Sequence, residues 1–137
     1  MINPKQMFYS VSLGILMASL LFSSYNIKAQ EENEEAESDP LTILSNIRSL
    51  LDKSITELNT GNYTGASELV DIAYIDNYEY IEDPLKELDQ DLMEETEVMI
   101  REDLASAIED KKPLGEITTL HNNIRSNLDK AEQLFKQ

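Results

Sequence analysis

The residues best suited to chemistry are the carboxylates and tyrosines gathered over residues 74–83, in the segment YIDNYEYIED. On an α-helix, spacings of three and four residues put Asp76, Glu79 and Asp83 on one stripe, and Glu82 lies three residues from Glu79. Like charges at these spacings repel each other by roughly 0.2–0.5 kcal/mol per pair unless a cation lies among them. Carboxylate and phenol oxygens are hard ligands, which suit ferric iron, calcium or manganese better than copper(I) or zinc. The segment therefore indicates a loose cation site, with fully solvated acids as the open alternative.

The rest of the composition excludes several other classes of chemistry. The chain of 137 residues has no cysteine and one histidine, His121. This removes disulfides, thiol chemistry, cysteine-based zinc sites and the paired Glu-x-x-His ligands of a di-iron bundle. The sequence contains no glycine-rich phosphate loop and no nucleophile elbow, and a formal net charge of −16 opposes binding to nucleic acid. We therefore expect a protein that is not an enzyme and does not bind nucleic acid.

Other polar residues at helical positions are expected to be structural. His121 falls at the margin of the apolar face of the last helix, where a packed or half-exposed histidine is more common than a ligand. Tyr74 and Tyr78, four residues apart, are expected to fill the core with their hydroxyls at its edge. Glu97 belongs to a group of acids that we expect on a solvated surface, where Arg101 can pair with it across one turn.

Four helices are expected to position these side chains. Apolar residues recur at spacings of three and four from Pro40 onward, and no stretch alternates as a strand would. We predict helices over residues 40–59, 63–83, 90–110 and 114–136. Asp39 caps the first helix, and Asp89 is a plausible cap for the third. Pro84, which disfavours helical geometry at Asp83, stops or kinks the second. Because short connections favour antiparallel neighbours, we predict that residues 40–137 form an all-α, antiparallel up-down four-helix bundle.

The first 39 residues differ from the remainder. The apolar centre over residues 7–22 spans about 16 residues, fewer than the roughly 20 that cross a bilayer as a helix. We predict a signal peptide over residues 1–29, with an uncleaved anchor as the open alternative, and either one makes the protein extracytoplasmic. Residues 30–39 are almost entirely acidic or polar, so we expect them to form a disordered acidic tether.

The acidic segment also resembles a known family. The run AYIDNYEYIE over residues 73–82, followed by Pro84 and Leu85, is similar to the signature A-Y-L-D-x-Y/F-E-x-x-E. That signature belongs to the extracytoplasmic helical domain that precedes the membrane part in many prokaryotic members of the oxidase-dependent high-affinity iron permease family. The likeness covers roughly residues 41–135. This sequence lacks the family's membrane helices and their Arg-Glu-x-x-Glu iron motifs, so we do not expect it to transport a cation by itself.

The resemblance implies an exported helical accessory domain for iron or other metal uptake. It puts Asp76, Glu79 and Glu82 at the matching acidic positions and Tyr74 and Tyr78 at the aromatic ones. On this hypothesis the three acids bind iron or another hard cation weakly, or the domain assists a membrane permease that does. The alternative is a structural or adaptor subunit that docks on a membrane protein complex, has no metal role and uses its acids only for solubility.

Overall fold

The computed structural model describes residues 39–137, and all regular structure in that range is helical. Four helices follow one another: α1 (Pro40–Asn59), α2 (63–88), α3 (90–109) and α4 (Leu114–Phe135). The predicted all-α class is therefore confirmed for this part of the chain. The predicted leader over residues 1–29 and the predicted tether over residues 30–39 lie outside the described residues, except for Asp39.

Side-chain caps fix where three of the helices begin. Oxygens of Asp39, Asn62 and Asp89 accept hydrogen bonds from backbone N–H groups three residues further on, at 3.3, 3.0 and 2.9 Å. Each bond satisfies an N–H group that the first helical turn leaves without a partner. Between α1 and α2, Gly61 adopts φ +80°, a left-handed conformation that glycine takes without strain. The predicted starts of the first three helices agree with these caps.

Helix α2 does not end before Pro84, so of the two predicted effects of this proline, a stop or a kink, the stop is wrong. The helix continues through Pro84 to Leu88. A proline inside a helix lacks the N–H donor of its turn and crowds the preceding backbone. Ile81 and Leu85 lie on either side of Pro84 and are both fully buried. Their packing into the core outweighs the local preference for a break.

Two of the helices contain a π-helical segment, which the apolar spacing did not indicate. In α2 it covers Tyr74–Tyr78, between the α-helical parts Tyr63–Ala73 and Glu79–Leu88. In α3 it covers Met99–Leu104, between the α-helical parts Gln90–Val98 and Ala105–Glu109. The wider turn of a π segment closes hydrogen bonds from i to i+5 and shifts the faces of the residues that follow.

All four helices contribute to one hydrophobic core. Its largest fully buried side chain is Tyr78, on the π segment of α2. The other large side chains buried to below 2% exposure are aliphatic: Leu44, Ile47, Leu51, Ile81, Leu85, Ile100, Leu104, Ile108, Ile117, Ile124 and Leu128. Within residues 39–137, no helix combines the length and the hydrophobicity that a bilayer crossing requires.

His121 takes part in a charged contact between α1 and α4. Its ring is buried at 7% exposure, and Nε2 lies 2.9 Å from an oxygen of Asp52. Arg125 donates to both oxygens of the same carboxylate, at 2.5 and 2.6 Å. Partial burial alone would raise the pKa of Asp52, but the hydrogen bond and charge of Arg125, followed by those of His121, hold it below its ordinary value. The histidine therefore has a structural partner, as expected of a packed residue.

Candidate functional site

The three acids of the predicted cation site lie in different environments. Asp76 lies inside the π segment of α2, is exposed, and forms no side-chain hydrogen bond or ion pair with the described residues. Glu79 is also exposed, at the start of the α-helical part that follows. Glu82, one turn further on, is half-buried. Asp76 lies in the π segment and Glu79 directly follows that segment. The α-helical spacing that predicted one stripe therefore does not apply between these two acids.

Glu82 is the residue of this set with an unusual environment. Its Oε1 atom is buried and has no hydrogen-bond partner among the described residues. Burial, followed by the negative charges of Glu97 and Glu79, raises the pKa of Glu82 above its ordinary value. The hydroxyl of Tyr74 and the charge of Arg101 oppose this rise without cancelling it. The fold therefore leaves the negative charge of ionised Glu82 with little compensation from hydrogen bonds or from positive charges.

Glu97 of α3 completes the environment of Glu82. It is half-buried, its Oε1 accepts a hydrogen bond from the Tyr74 hydroxyl at 3.2 Å, and the same oxygen forms an ion pair with Arg101 at 2.9 Å. The predicted pairing of Glu97 with Arg101 is confirmed, whereas the expectation of a fully solvated Glu97 is wrong. The contact with Tyr74 turns the carboxylate toward α2.

Among residues 39–137, Arg101 is the one cation that pairs with acids of this group. Arg101 pairs with Glu97 and, at 2.7 Å, with Glu102, and its guanidinium carbon lies 5.9 Å from the ring centroid of Tyr74. Within residues 39–137, no other ion pair involves Glu79, Glu82, Glu97 or Glu102. We call the set of Tyr74, Glu79, Glu82, Glu97 and Arg101 the acidic cluster. Its carboxylates outnumber its single guanidinium, so the cluster attracts a further positive charge.

The two tyrosines of the segment have different roles. Their rings stack with centroids 6.4 Å apart. Tyr78 is fully buried and its hydroxyl donates to the backbone carbonyl of Met93 at 2.8 Å, and burial raises its pKa well above the ordinary value. Tyr74 is half-buried, and burial, followed by the charge of Glu82, raises its pKa as well. The ring of Tyr78 fills the core as expected, but its hydroxyl is buried and does not lie at the edge. Tyr74 packs against the core and presents its hydroxyl to the acidic cluster.

Two members of the acidic cluster lie within the π segments. Tyr74 begins the first segment, Arg101 lies in the second, and Glu97 precedes the second by two residues. Single π turns inside α-helices occur frequently at functional sites. Glu97 was not predicted as a neighbour of Glu82, because their proximity is a tertiary contact between two helices. The sequence contains no local signal for this contact, which depends on how α2 packs against α3.

The chemistry open to the acidic cluster is binding of a cation or of a proton. Within the described residues, no three His, Asp or Glu side chains are arranged as a ready metal site. Glu82 and Glu97 together offer two carboxylates, and water has to supply most of a cation's remaining ligands. The cluster contains no nucleophile paired with a base.

No family model, no curated protein and no solved structure matches this chain.

Proposed function

We propose that this chain is an exported helical accessory domain for the uptake of iron or another hard cation. In this proposal it binds the cation weakly at Glu82, with Glu79 and Glu97 beside it, and assists a membrane permease. Of the three acids predicted from the sequence, Glu79 and Glu82 are direct participants, and Asp76 adds negative charge from the exposed side of α2. The observation that carries the proposal is the buried oxygen of Glu82 that has no hydrogen-bond partner among the described residues.

A cation relieves the unfavourable environment of Glu82. A buried polar atom without a partner costs about 1–3 kcal/mol, and neighbouring like charges add to that cost. A bound cation interacts favourably with Glu82 and with Glu97 at the same time, and the negative charge of the exposed Glu79 adds to the attraction. The Tyr74 hydroxyl, already bonded to Glu97, is a further oxygen within reach of the same group. Two carboxylates completed by water match the loose oxygen coordination of manganese, calcium or ferrous iron.

The proposed scaffold is the antiparallel up-down bundle predicted from the short connections. The contacts between α1 and α4 support it, because partner numbers on α4 fall as residue numbers on α1 rise. The pairs are Arg48 with Asp129 at 2.8 Å and with Glu132 at 2.7 Å, then Asp52 with His121 at 2.9 Å. The contacts between α2 and α3 follow the same order, with Tyr74 bonded to Glu97 and Tyr78 to Met93.

Uptake and an extracytoplasmic location rest on the sequence. The support for uptake is the resemblance of residues 73–82 to the signature of the iron-permease extracytoplasmic domain. The support for export is the apolar segment of residues 7–22. The permease and the cation are the partners that this proposal requires. The cation site is the part of the proposal that can be tested on the isolated chain.

Isothermal titration of the full chain with manganese, calcium, ferrous and ferric citrate solutions tests the site. We expect Glu82→Gln to weaken the binding of the preferred cation, because it removes one charged ligand, by about tenfold, which corresponds to about 1.4 kcal/mol. The matched control is Glu68→Gln, on the same helix at an exposed position outside the acidic cluster. Equal affinities for the wild type and Glu82→Gln would contradict the proposal.

A second candidate function is supported by an exposed apolar surface. Ile75 and Tyr80 of α2 are 54% and 70% exposed. Large apolar side chains exposed on one helix are typical of protein contact surfaces. The candidate is an adaptor subunit that docks on a membrane protein complex through α2. Co-sedimentation with membranes of the source cells separates the two functions. If the chain is an adaptor, we expect the double variant Ile75→Asn with Tyr80→Ser to lose co-sedimentation and Glu82→Gln to retain it. Loss of co-sedimentation only in Glu82→Gln would exclude the adaptor.

A further inference from the structure

An open groove lies between α3 and α4, apart from the acidic cluster. Its volume is about 610 Å³, and no member of the acidic cluster lines it. Its apolar floor is formed by Val98, Met99 and Leu120. Val98 is 38% exposed, and the other two are half-buried. The core therefore leaves a strip of apolar side chains accessible at this groove.

The rim of the groove is anionic. Asp91, Glu94, Glu95 and Asp103 line it, and all four are exposed. Within residues 39–137, none of them forms an ion pair and no lysine or arginine lines the groove. Glu94 accepts one hydrogen bond, from the neutral amide of Gln90. The rim thus presents four uncompensated negative charges around an apolar floor.

We infer that this groove binds an amphipathic α-helix of another protein that carries apolar residues on one face and Lys or Arg at the edges of that face. The apolar face covers the floor, and the cations lie against the rim, which is the helix-in-groove mode of recognition. A second copy of this chain does not match the groove, because a formal net charge of −16 repels the rim. A β-strand has no sheet edge to join within residues 39–137. This inference is independent of the proposed cation site.

Fluorescence anisotropy of the full chain with a labelled peptide tests the groove. The probe is a synthetic helical peptide of Leu and Lys with the lysines flanking its apolar face, and its partner peptide has each Lys replaced by Glu. The groove variant combines Val98→Asn, Glu94→Gln and Asp103→Asn. We expect the basic peptide to bind the wild type, the acidic peptide not to bind, and the groove variant to bind about tenfold more weakly.

The matched control makes the same kinds of changes on α2. It combines Ile72→Asn, Glu68→Gln and Asp71→Asn. Like the groove variant, it removes two negative charges and one exposed β-branched residue, which is Ile72 at 40% exposure in place of Val98 at 38%. We expect this control to bind the basic peptide within about twofold of the wild type, because its substitutions lie outside the groove. Circular dichroism of both variants verifies that the helices are retained.

Three outcomes overturn the inference. The first is that the basic peptide does not bind the wild type. The second is that the groove variant and the α2 control weaken binding equally, which shows that the peptide follows net charge alone. The third is that amide NMR shifts caused by the peptide fall on α2 while Val98, Leu120 and Asn123 at the groove are unaffected.

Discussion

Replacing Glu82 by Gln tests the electrostatics of the acidic cluster directly, because it keeps the shape of the side chain and removes its charge. In the folded chain, Glu82 is half-buried with one oxygen unpartnered, and its pKa is raised by burial and by the charges of Glu97 and Glu79. In the unfolded chain the same carboxyl ionises in water. The ionised group therefore destabilises the fold at neutral pH, and Glu82→Gln is expected to raise the free energy of unfolding.

The size of the effect follows from the environment of the side chain. Glutamine keeps a polar atom at the buried position, so the gain comes from removing the charge. A like-charge pair one turn apart, such as Glu79 with Glu82, costs roughly 0.2–0.5 kcal/mol, partial burial of the charge adds to this cost, and Arg101 offsets part of it. We expect Glu82→Gln to stabilise the fold by about 1 kcal/mol at pH 7. For a domain of about 100 residues, this corresponds to a Tm higher by about 4 °C.

The pH dependence of stability tests independently whether ionised Glu82 destabilises the fold. Because the folded chain binds this proton more tightly than the unfolded chain does, the contribution of Glu82 to stability falls as the pH rises through the range above 4.5, its ordinary value. The difference between wild type and Glu82→Gln is therefore expected to be small at pH 4 and to grow toward pH 7. Thermal unfolding followed by circular dichroism measures it, with Glu68→Gln as the exposed control on the same helix. A Glu82→Gln variant that is less stable than the wild type at pH 7 would refute this reasoning.

Three further substitutions test the supports around the site, each by urea denaturation. Tyr78→Phe is expected to lower the free energy of unfolding by about 1 kcal/mol, since it leaves the buried carbonyl of Met93 without its donor at 2.8 Å; no loss would contradict the contact. Asp52→Asn is expected to lower the free energy of unfolding by about 0.5–1 kcal/mol at pH 7, and the lower value is favoured because Asp52 is exposed. Because Arg125 holds the pKa of Asp52 below 3.8, this cost should disappear as the pH falls below that value, and a constant cost would contradict the ion pair. Pro84→Ala is expected to raise the free energy of unfolding by about 1 kcal/mol, because alanine supplies the missing N–H and removes the crowding; destabilisation would show that the proline is required.

The helices could be predicted from the sequence because their signals are local. Asp39 before Pro40 and Asp89 before the third apolar run are caps that act within one turn, and the structure contains both bonds. Apolar spacing also predicted that Tyr78 would be buried. These features depend on neighbours within a few residues, so one sequence is sufficient to find them.

The features that were missed depend on tertiary contacts. The helix continues through Pro84 because Ile81 and Leu85 are both buried in the core, and burial cannot be read from the proline itself. The π turn after Tyr74 changes the face that Asp76 presents, and α-helical spacing carries no signal for it. The proximity of Glu97 to Glu82 joins two helices, so the environment of the candidate site could not be predicted from either helix alone.

The most direct test of the cation site is paramagnetic broadening of amide NMR signals by substoichiometric manganese added to the full chain. We expect the earliest broadening at the amides around Glu82, Glu97 and Tyr74, and we expect it to move away from these residues in Glu82→Gln. Broadening that is spread evenly over the exposed acids, or centred on the rim of the groove between α3 and α4, would contradict the assignment of a cation to Glu82.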